Sequence, residues 1–245
     1  MADPRIHIAS VELAAGATLR LPDSAFRHLV QVLRLRTGER FFVFDGRGGE
    51  YAAELLDVGK REASAALGAR LDVDRESPLD LTLAQCVSKG DRMDYTLQKA
   101  VELGVTRIVP LLSSRSVVRL DAERMDKKLE HWRGVIVSAC EQSGRTLIPS
   151  LNEPAALLTW LDQSPTDGMR LTLDPLAACG LRGLARPERP LTLLVGPEGG
   201  LSEHELQHAR DAGFTGVRMG PRILRTETAG VAALAALQAI WGDWN

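Results

Sequence analysis

Two glycine-rich segments hold the residue types best placed to do chemistry. They are Val195-Gly196-Pro197-Glu198-Gly199-Gly200-Leu201-Ser202 and Met219-Gly220-Pro221-Arg222-Ile223-Leu224-Arg225-Thr226-Glu227-Thr228-Ala229. Each follows a short apolar run and precedes a helical pattern. Glycine has no Cβ and tolerates positive φ, so the main chain turns sharply there and brings its own N–H and C=O groups close to a ligand. The first segment runs into Ser202-Glu203-His204-Glu205, a capping-box pattern that opens a helix with its free N–H groups facing the loop. One such turn is explained by a tight strand-to-helix connection alone. Two predict a shared cofactor pocket. That pocket is not a dinucleotide site, because the first strand-to-helix turn of the unit, Ser88-Lys89-Gly90-Asp91-Arg92, does not match GxGxxG. A phosphate-cradling GxxxxGK[ST] is also absent.

The elements that must position these turns read as two regions. In residues 1–73, short turn-bounded strands are expected at Arg5–Ile8, Arg40–Asp45, Glu50–Asp57 and Arg61–Leu67, with a hairpin turn over Asp45–Gly49. One helix from Asp23 to Leu33 interrupts them, with Phe26, Leu29, Val30 and Leu33 on one face. This is the pattern of a small β-barrel-type module. The polar, proline-containing stretch Asp74-Arg75-Glu76-Ser77-Pro78 marks a boundary, and residues 74–245 form the second domain.

Beyond it strands and helices alternate. Strands are expected at Leu79–Val87, Arg107–Leu112, Leu171–Leu173, Leu191–Val195 and Gly216–Met219. The helices between them are Asp91–Leu103, Asp121–Gln142, Pro154–Leu161, Ser202–Ala212 and Glu227–Trp241. Alternation of this kind predicts an α/β fold with a mostly parallel sheet covered on both faces. The last helix is apolar beyond the needs of one face, with Val231, Leu234, Leu237 and Ile240 on one side. Burial within the chain or packing against a second subunit explains that equally well.

Of 245 residues, 44% are hydrophobic and 25% charged, the composition of an ordinary globular protein. No apolar run reaches the length of a bilayer span, and the N-terminus has no apolar signal core, so no membrane role and a cytoplasmic location are expected. Cys86, Cys140 and Cys179 are far apart and form no CxxC pair, which argues against both a disulfide framework and a metal site. With 30 Lys and Arg against 32 Asp and Glu, bulk charge does not announce a nucleic-acid partner. Any such role rests on local clusters: Arg27, Arg34, Arg36 and Arg40 around the first helix, and Lys89, Arg92, Arg115 and Arg119 early in the second region.

Taken together, the two glycine segments resemble the SPOUT class of RNA methyltransferases, and within it the RsmE family of 16S rRNA uridine N3-methyltransferases. The likeness extends in the same order to Lys89–Asp94, Lys99–Val105, Arg115–Val118 and Glu141-Gln142-Ser143-Gly144-Arg145. His28 through Arg34 and the strand-rich N-terminus resemble that family's PUA-like RNA-binding domain. The resemblance implies a SPOUT domain with a deep trefoil knot, a homodimer with its active site at the subunit interface, and S-adenosyl-L-methionine as cofactor.

It also implies roles. Three loops would hold the cofactor: the one after Leu173, the turn Gly196, Pro197, Glu198, Gly199 and Gly200, and the segment containing Met219, Gly220, Ile223, Leu224, Arg225 and Thr226. Leu173, Met219 and Leu224 would supply apolar contact for an adenine ring. Gly199 is the position where a branched side chain should abolish binding. Methylating uracil N3 removes a proton and spreads negative charge onto O2 and O4. Arg225 and Arg145 are the expected stabilising cations, and Glu198, Glu141 and Glu227 the candidate proton acceptors. Arg27, Arg34, Arg36, Lys89, Arg92 and Arg115 would contact ribosomal RNA, and no metal is implied. Two alternatives remain at this stage: the same fold acting on tRNA or on ribose, and a non-catalytic ribosome-assembly factor.

Overall fold

The computed structural model describes residues 3–9, 11–116, 122–188 and 190–244. The expected helix start at Asp121 and the basic candidate Arg119 lie outside them. The chain divides into two compact units, Met1–Glu76 with Val137–Ile148, and Ser77–Ile136 with Pro149–Asn245.

The first unit holds β1 (Arg5–His7), β2 (Thr18–Arg20), β3 (Arg40–Phe44), β4 (Glu50–Val58) and β5 (Ala63–Leu71) in one sheet of order β1-β3-β4-β5-β2. β1 runs parallel to β3 and the other pairs are antiparallel. Alternate residues of these strands, among them Phe41, Val43, Ala53, Leu55, Ala65 and Leu67, meet Phe26 and Leu29 in one core.

The expected helix over 23–33 is two structures: α1 (Asp23–Phe26) continues as a π-helical turn, Arg27–Val32. Leu33 N–H reaches back to His28 O at 2.9 Å, one residue further than in an α-helix. The wider turn rotates Leu33 outward, so it is 41% exposed instead of completing the apolar face.

Residues 137–148 complete the first unit. The main-chain N–H of His7 donates to Glu141 Oε1 at 3.0 Å. Arg75 donates to Gly144 O at 2.9 Å. Arg145, 3% exposed, donates through Nε to Glu76 Oε2 at 2.9 Å.

The second unit contains β6 (Leu81–Cys86), α2 (Asp91–Glu102), β7 (Arg107–Leu112), α3 (Ala122–Ser143, which belongs to the first unit from Val137 on), β8 (Ser150–Leu151) and β9 (Ala155–Ala156). There follow α4 (Leu157–Gln163), β10 (Met169–Leu173), β11 (Leu191–Val195), α5 (Glu203–Asp211), β12 (Thr215–Val217) and α6 (Thr226–Trp241). All seven strands are parallel, in the order β12-β10-β11-β6-β7-β8, with β9 also on β7.

The central strands are apolar on both faces because both are covered. Ala84, Cys86 and Leu194 pack with Leu157 and Leu161 of α4, Ala209 of α5 and Phe214 in the turn before β12. On the opposite face, Gly230 of α6 lies over Gln85 and Val195. α6 packs against α2, β11 and the 3-10 turn Leu181–Gly183. Leu234 and Leu237 are buried within this unit while Ile240 is 37% exposed. The helix expected from Pro154 starts instead at Leu157, because Ala155 and Ala156 pair with Leu111 and Leu112 at the sheet. Burial pushes the Cys86 and Cys140 thiols up to about 12, which makes both inert. Among the described residues no helix is long and apolar enough to cross a membrane.

Candidate active site

A cavity of about 410 Å³ opens where β10, β11 and β12 end. The carboxyl ends of parallel strands are where open α/β sheets bind ligands. Three loops build it. Leu173 ends β10, and Asp174 and Leu176 follow it; Gly196, Pro197, Glu198 and Gly200 follow β11; Met219, Gly220, Ile223 and Leu224 follow β12. Thr226 and Ala229 of α6 close it from one side. Gly200 and Gly220 adopt φ of 67° and 78°, a backbone that side-chain-bearing residues rarely take.

The loops are pinned by side-chain hydrogen bonds to the main chain. Thr226 donates to Gly196 O at 2.6 Å and accepts from Gln85 Nε2 at 3.1 Å, which ties the β11 turn to the start of α6 and to the middle of the sheet. Ser202 caps α5 in the expected box with Glu205. Burial alone would raise the Glu205 pKa, but hydrogen bonds from Ser114 N–H at 2.7 Å, Ser202 N–H at 2.8 Å and the Ser202 hydroxyl outweigh it and hold the carboxyl below its usual range. Arg115 Nη1 donates to Gly199 O at 2.9 Å. The loop after β7 therefore braces the glycine turn from outside.

A family model described as RNA methyltransferase domain matches residues 75–238. Another, described as RNA methyltransferase PUA domain, matches residues 21–67. Ribosomal RNA small subunit methyltransferase E from Buchnera aphidicola is 32% identical over 240 residues, covering 98% of this chain and 97% of that protein. The chain belongs to the ribosomal RNA small subunit methyltransferase E family. A crystal structure of the Neisseria gonorrhoeae member, bound to S-adenosyl methionine, is 43% identical and superposes with a TM-score of 0.93 over 100% of both chains. A putative methyltransferase from Legionella pneumophila, with bound SAM, is 38% identical with a TM-score of 0.94, covering 99% of this chain and 100% of that one.

Against that family the expected residues sort by position. Of the residues expected to hold the cofactor, Leu173, Gly196, Pro197, Glu198, Gly200, Met219, Gly220, Ile223, Leu224 and Thr226 line this cavity. Gly199 and Arg225 do not. Gly199 turns its carbonyl to Arg115, and a Cβ there would meet only that side chain, at 3.5 Å. Arg225 is the N-cap residue of α6 with extended backbone, its side chain exposed beside lining residues Leu224 and Thr226.

Arg145 and Glu141, expected at the reacting centre, lie in the first unit and serve its architecture. The former is buried against Glu76, and the latter accepts from His7 N–H while burial raises its pKa. Glu198 accepts from Lys89 N–H at 3.2 Å and Arg92 Nη1 at 3.3 Å, and Arg92 Nε stands 3.8 Å from Glu227. So the guanidiniums of Arg92 and Arg115, expected on RNA, are committed to the cavity's rim. Arg27, Arg34 and Arg36 are exposed with no side-chain partner among the described residues.

Sequence reasoning missed Asp174, which lines the cavity at 8% exposure and accepts from Leu176 N–H at 2.9 Å. The Asp174-Pro175 pair was its available signal, since Asp-Pro marks a turn. Gln85 carried none, because its partner Thr226 is 141 residues away, and nothing in the sequence showed that Glu205, legible as part of a cap, also binds Ser114 N–H.

Proposed function

We propose that this chain binds S-adenosylmethionine in the cavity at the ends of β10, β11 and β12 and methylates N3 of a uridine in 16S rRNA of the small ribosomal subunit. The observation that carries the reading is the cavity itself. Its volume suits a nucleoside-sized ligand, residues of three loops line it, and Leu173, Met219 and Leu224 offer a ring apolar contact. Two relatives that resemble the chain along its whole length were crystallised with that cofactor. When bound, the cofactor supplies an electrophilic methyl group.

The chain's own residues do the rest. The Gly196 to Gly200 turn and the Met219 to Leu224 segment hold the ligand through backbone groups, which Thr226 fixes relative to each other. Arg225, exposed at the start of α6, presents guanidinium donors to the uracil oxygens as they gain charge. Glu198 and Glu227, both held by Arg92, are the carboxylates of this unit placed to receive the N3 proton.

Dimerisation belongs to the same reading: Leu176 and Ile223, 92% and 78% exposed at the cavity's edge, are apolar surface that a second copy would cover. A trefoil knot is supported by the packing of α6 against the 3-10 turn after β10 and by the bridge between Gly180 and Arg218. A cytoplasmic location follows from a ribosomal substrate. The test is incubation of the purified chain and S-adenosylmethionine with small subunits lacking the modification, followed by nucleoside mass spectrometry. N3-methyluridine is the expected product; its absence, or methylation elsewhere, refutes the target. Arg225→Ala should keep cofactor affinity and lose turnover.

A further inference from the structure

Among the described residues, twelve glycines have positive φ and a single residue with a side chain does: Arg34, at φ 61°. Its position explains the backbone. Arg34 follows the π-helical turn as the left-handed residue that ends a helix, after which Leu35 N–H bonds to Leu29 O at 2.9 Å. Glycine is the usual occupant of that position, since any Cβ crowds the backbone there. At every other positive-φ position among the described residues this chain uses glycine.

Nothing among the described residues accounts for the arginine. Its side chain is exposed and makes no hydrogen bond, ion pair or ring contact among the described residues. A conformational cost kept at an exposed position points to a contact outside the molecule. Arg27, which begins the π-helical turn, and Arg36, two residues beyond Arg34, are likewise exposed and have no side-chain partner among the described residues; Glu39 accepts from the Arg36 N–H, and three guanidiniums beside one carboxylate leave a local field that favours an anion. A π-helical turn fixes the direction in which the residue after it projects.

We propose that Arg34 is a dedicated phosphate contact, presented to RNA by the left-handed end of the π-helical turn. The assignment rests on the RNA reading above and adds to it which arginine of the first unit carries the contact and why its backbone is strained. A phosphodiester suits a guanidinium bidentately and a lysine only as a point charge.

The variants Arg34→Gly, Arg34→Asn and Arg34→Lys test it in the full chain, with a 16S rRNA transcript as probe and thermal unfolding as the structural control. Glycine and asparagine both tolerate φ near 60°, so neither should lower the unfolding midpoint. Both should weaken RNA affinity about tenfold and reduce the slope of log affinity against log salt by about one, leaving S-adenosylmethionine affinity unchanged. Lysine should keep the salt slope and recover only part of the affinity. Wild-type affinity and slope in the glycine and asparagine variants overturn the assignment, as does a midpoint lowered in both, which would make Arg34 a structural residue. Failure of the wild-type chain to bind the transcript is a separate result: it removes the RNA reading and the assignment with it.

Discussion

Replacing Thr226 with valine keeps shape and volume and removes one hydroxyl. That hydroxyl is 2.6 Å from Gly196 O and 3.1 Å from Gln85 Nε2, on a residue only 6% exposed. Gln85 keeps its second acceptor, Cys86 O at 2.9 Å, so its loss is small. Gly196 O has no other partner among the described residues and sits in a half-buried turn, where the penalty for an unpaired group is about 1–2 kcal/mol. The change should therefore lower the stability of the second unit by about 1–2 kcal/mol, or roughly 2–8 °C in melting temperature for a chain of this size.

The same bond sets the distance between the β11 turn and α6, which form adjacent sides of the cavity. If that distance matters for binding, S-adenosylmethionine affinity falls by up to about thirtyfold, the equivalent of 2 kcal/mol. Calorimetric titration of wild type and Thr226→Val at one temperature, beside urea unfolding, measures both quantities. A valine variant that binds the cofactor within twofold of wild type would refute the reasoning, because the turn would then hold its geometry unaided.

The two neighbouring glycines should behave oppositely. Gly200→Ala places a Cβ at φ 67° and should cost about 1–2 kcal/mol and abolish measurable cofactor binding; Gly199→Ala should change neither by more than twofold, as followed by thermal unfolding and titration. Arg145→Met leaves the Glu76 carboxylate largely buried without its cation and should destabilise the first unit by about 3–5 kcal/mol in urea unfolding. Wild-type stability in that variant would show the pair to be dispensable. Burial holds the His7 pKa below its usual value, against weaker opposing effects of the Asp45 main chain and carboxylate. The unfolded chain thus takes up a proton more readily than the folded one as pH falls below about 6.5. Stability should drop between pH 7 and 5.5, and His7→Gln should make that drop shallower; a steeper drop would reverse the sign of the argument.

What the sequence made legible were features written in consecutive residues. Leu81–Cys86 and Leu191–Val195 are short apolar runs because both faces of the sheet are covered, and Ser202 to Glu205 spells out its own cap. The ten cavity-lining residues foreseen came from turn chemistry plus family likeness. What stayed hidden depends on partners distant along the chain or on geometry that residue types do not encode. Thr18–Arg20 is a strand only because β5 lies beside it. An apolar face over 23–33 fits a π-helical turn as well as an α-helical one. Gly199 and Gly200 read alike, yet one faces Arg115 and the other needs a left-handed backbone. Arg145 looked catalytic within its motif because Glu76, 69 residues away, gave no sign of being its counter-ion.

Strand order in the parallel sheet also sets a timetable for synthesis. β6 is hydrogen-bonded to β11, Leu81 opposite Leu191, although 110 residues separate them. At a ribosomal pace of about 5–20 residues per second, β6 waits roughly 5–20 seconds for that neighbour. During the wait its apolar edge is open, the condition under which nascent chains attract chaperones or one another. Every residue lining the cavity falls between 173 and 229, so the cavity cannot form until β6 has gained that late neighbour. Ligand-free excess of this protein during rapid growth should therefore burden the cell's folding helpers before it contributes any modified RNA.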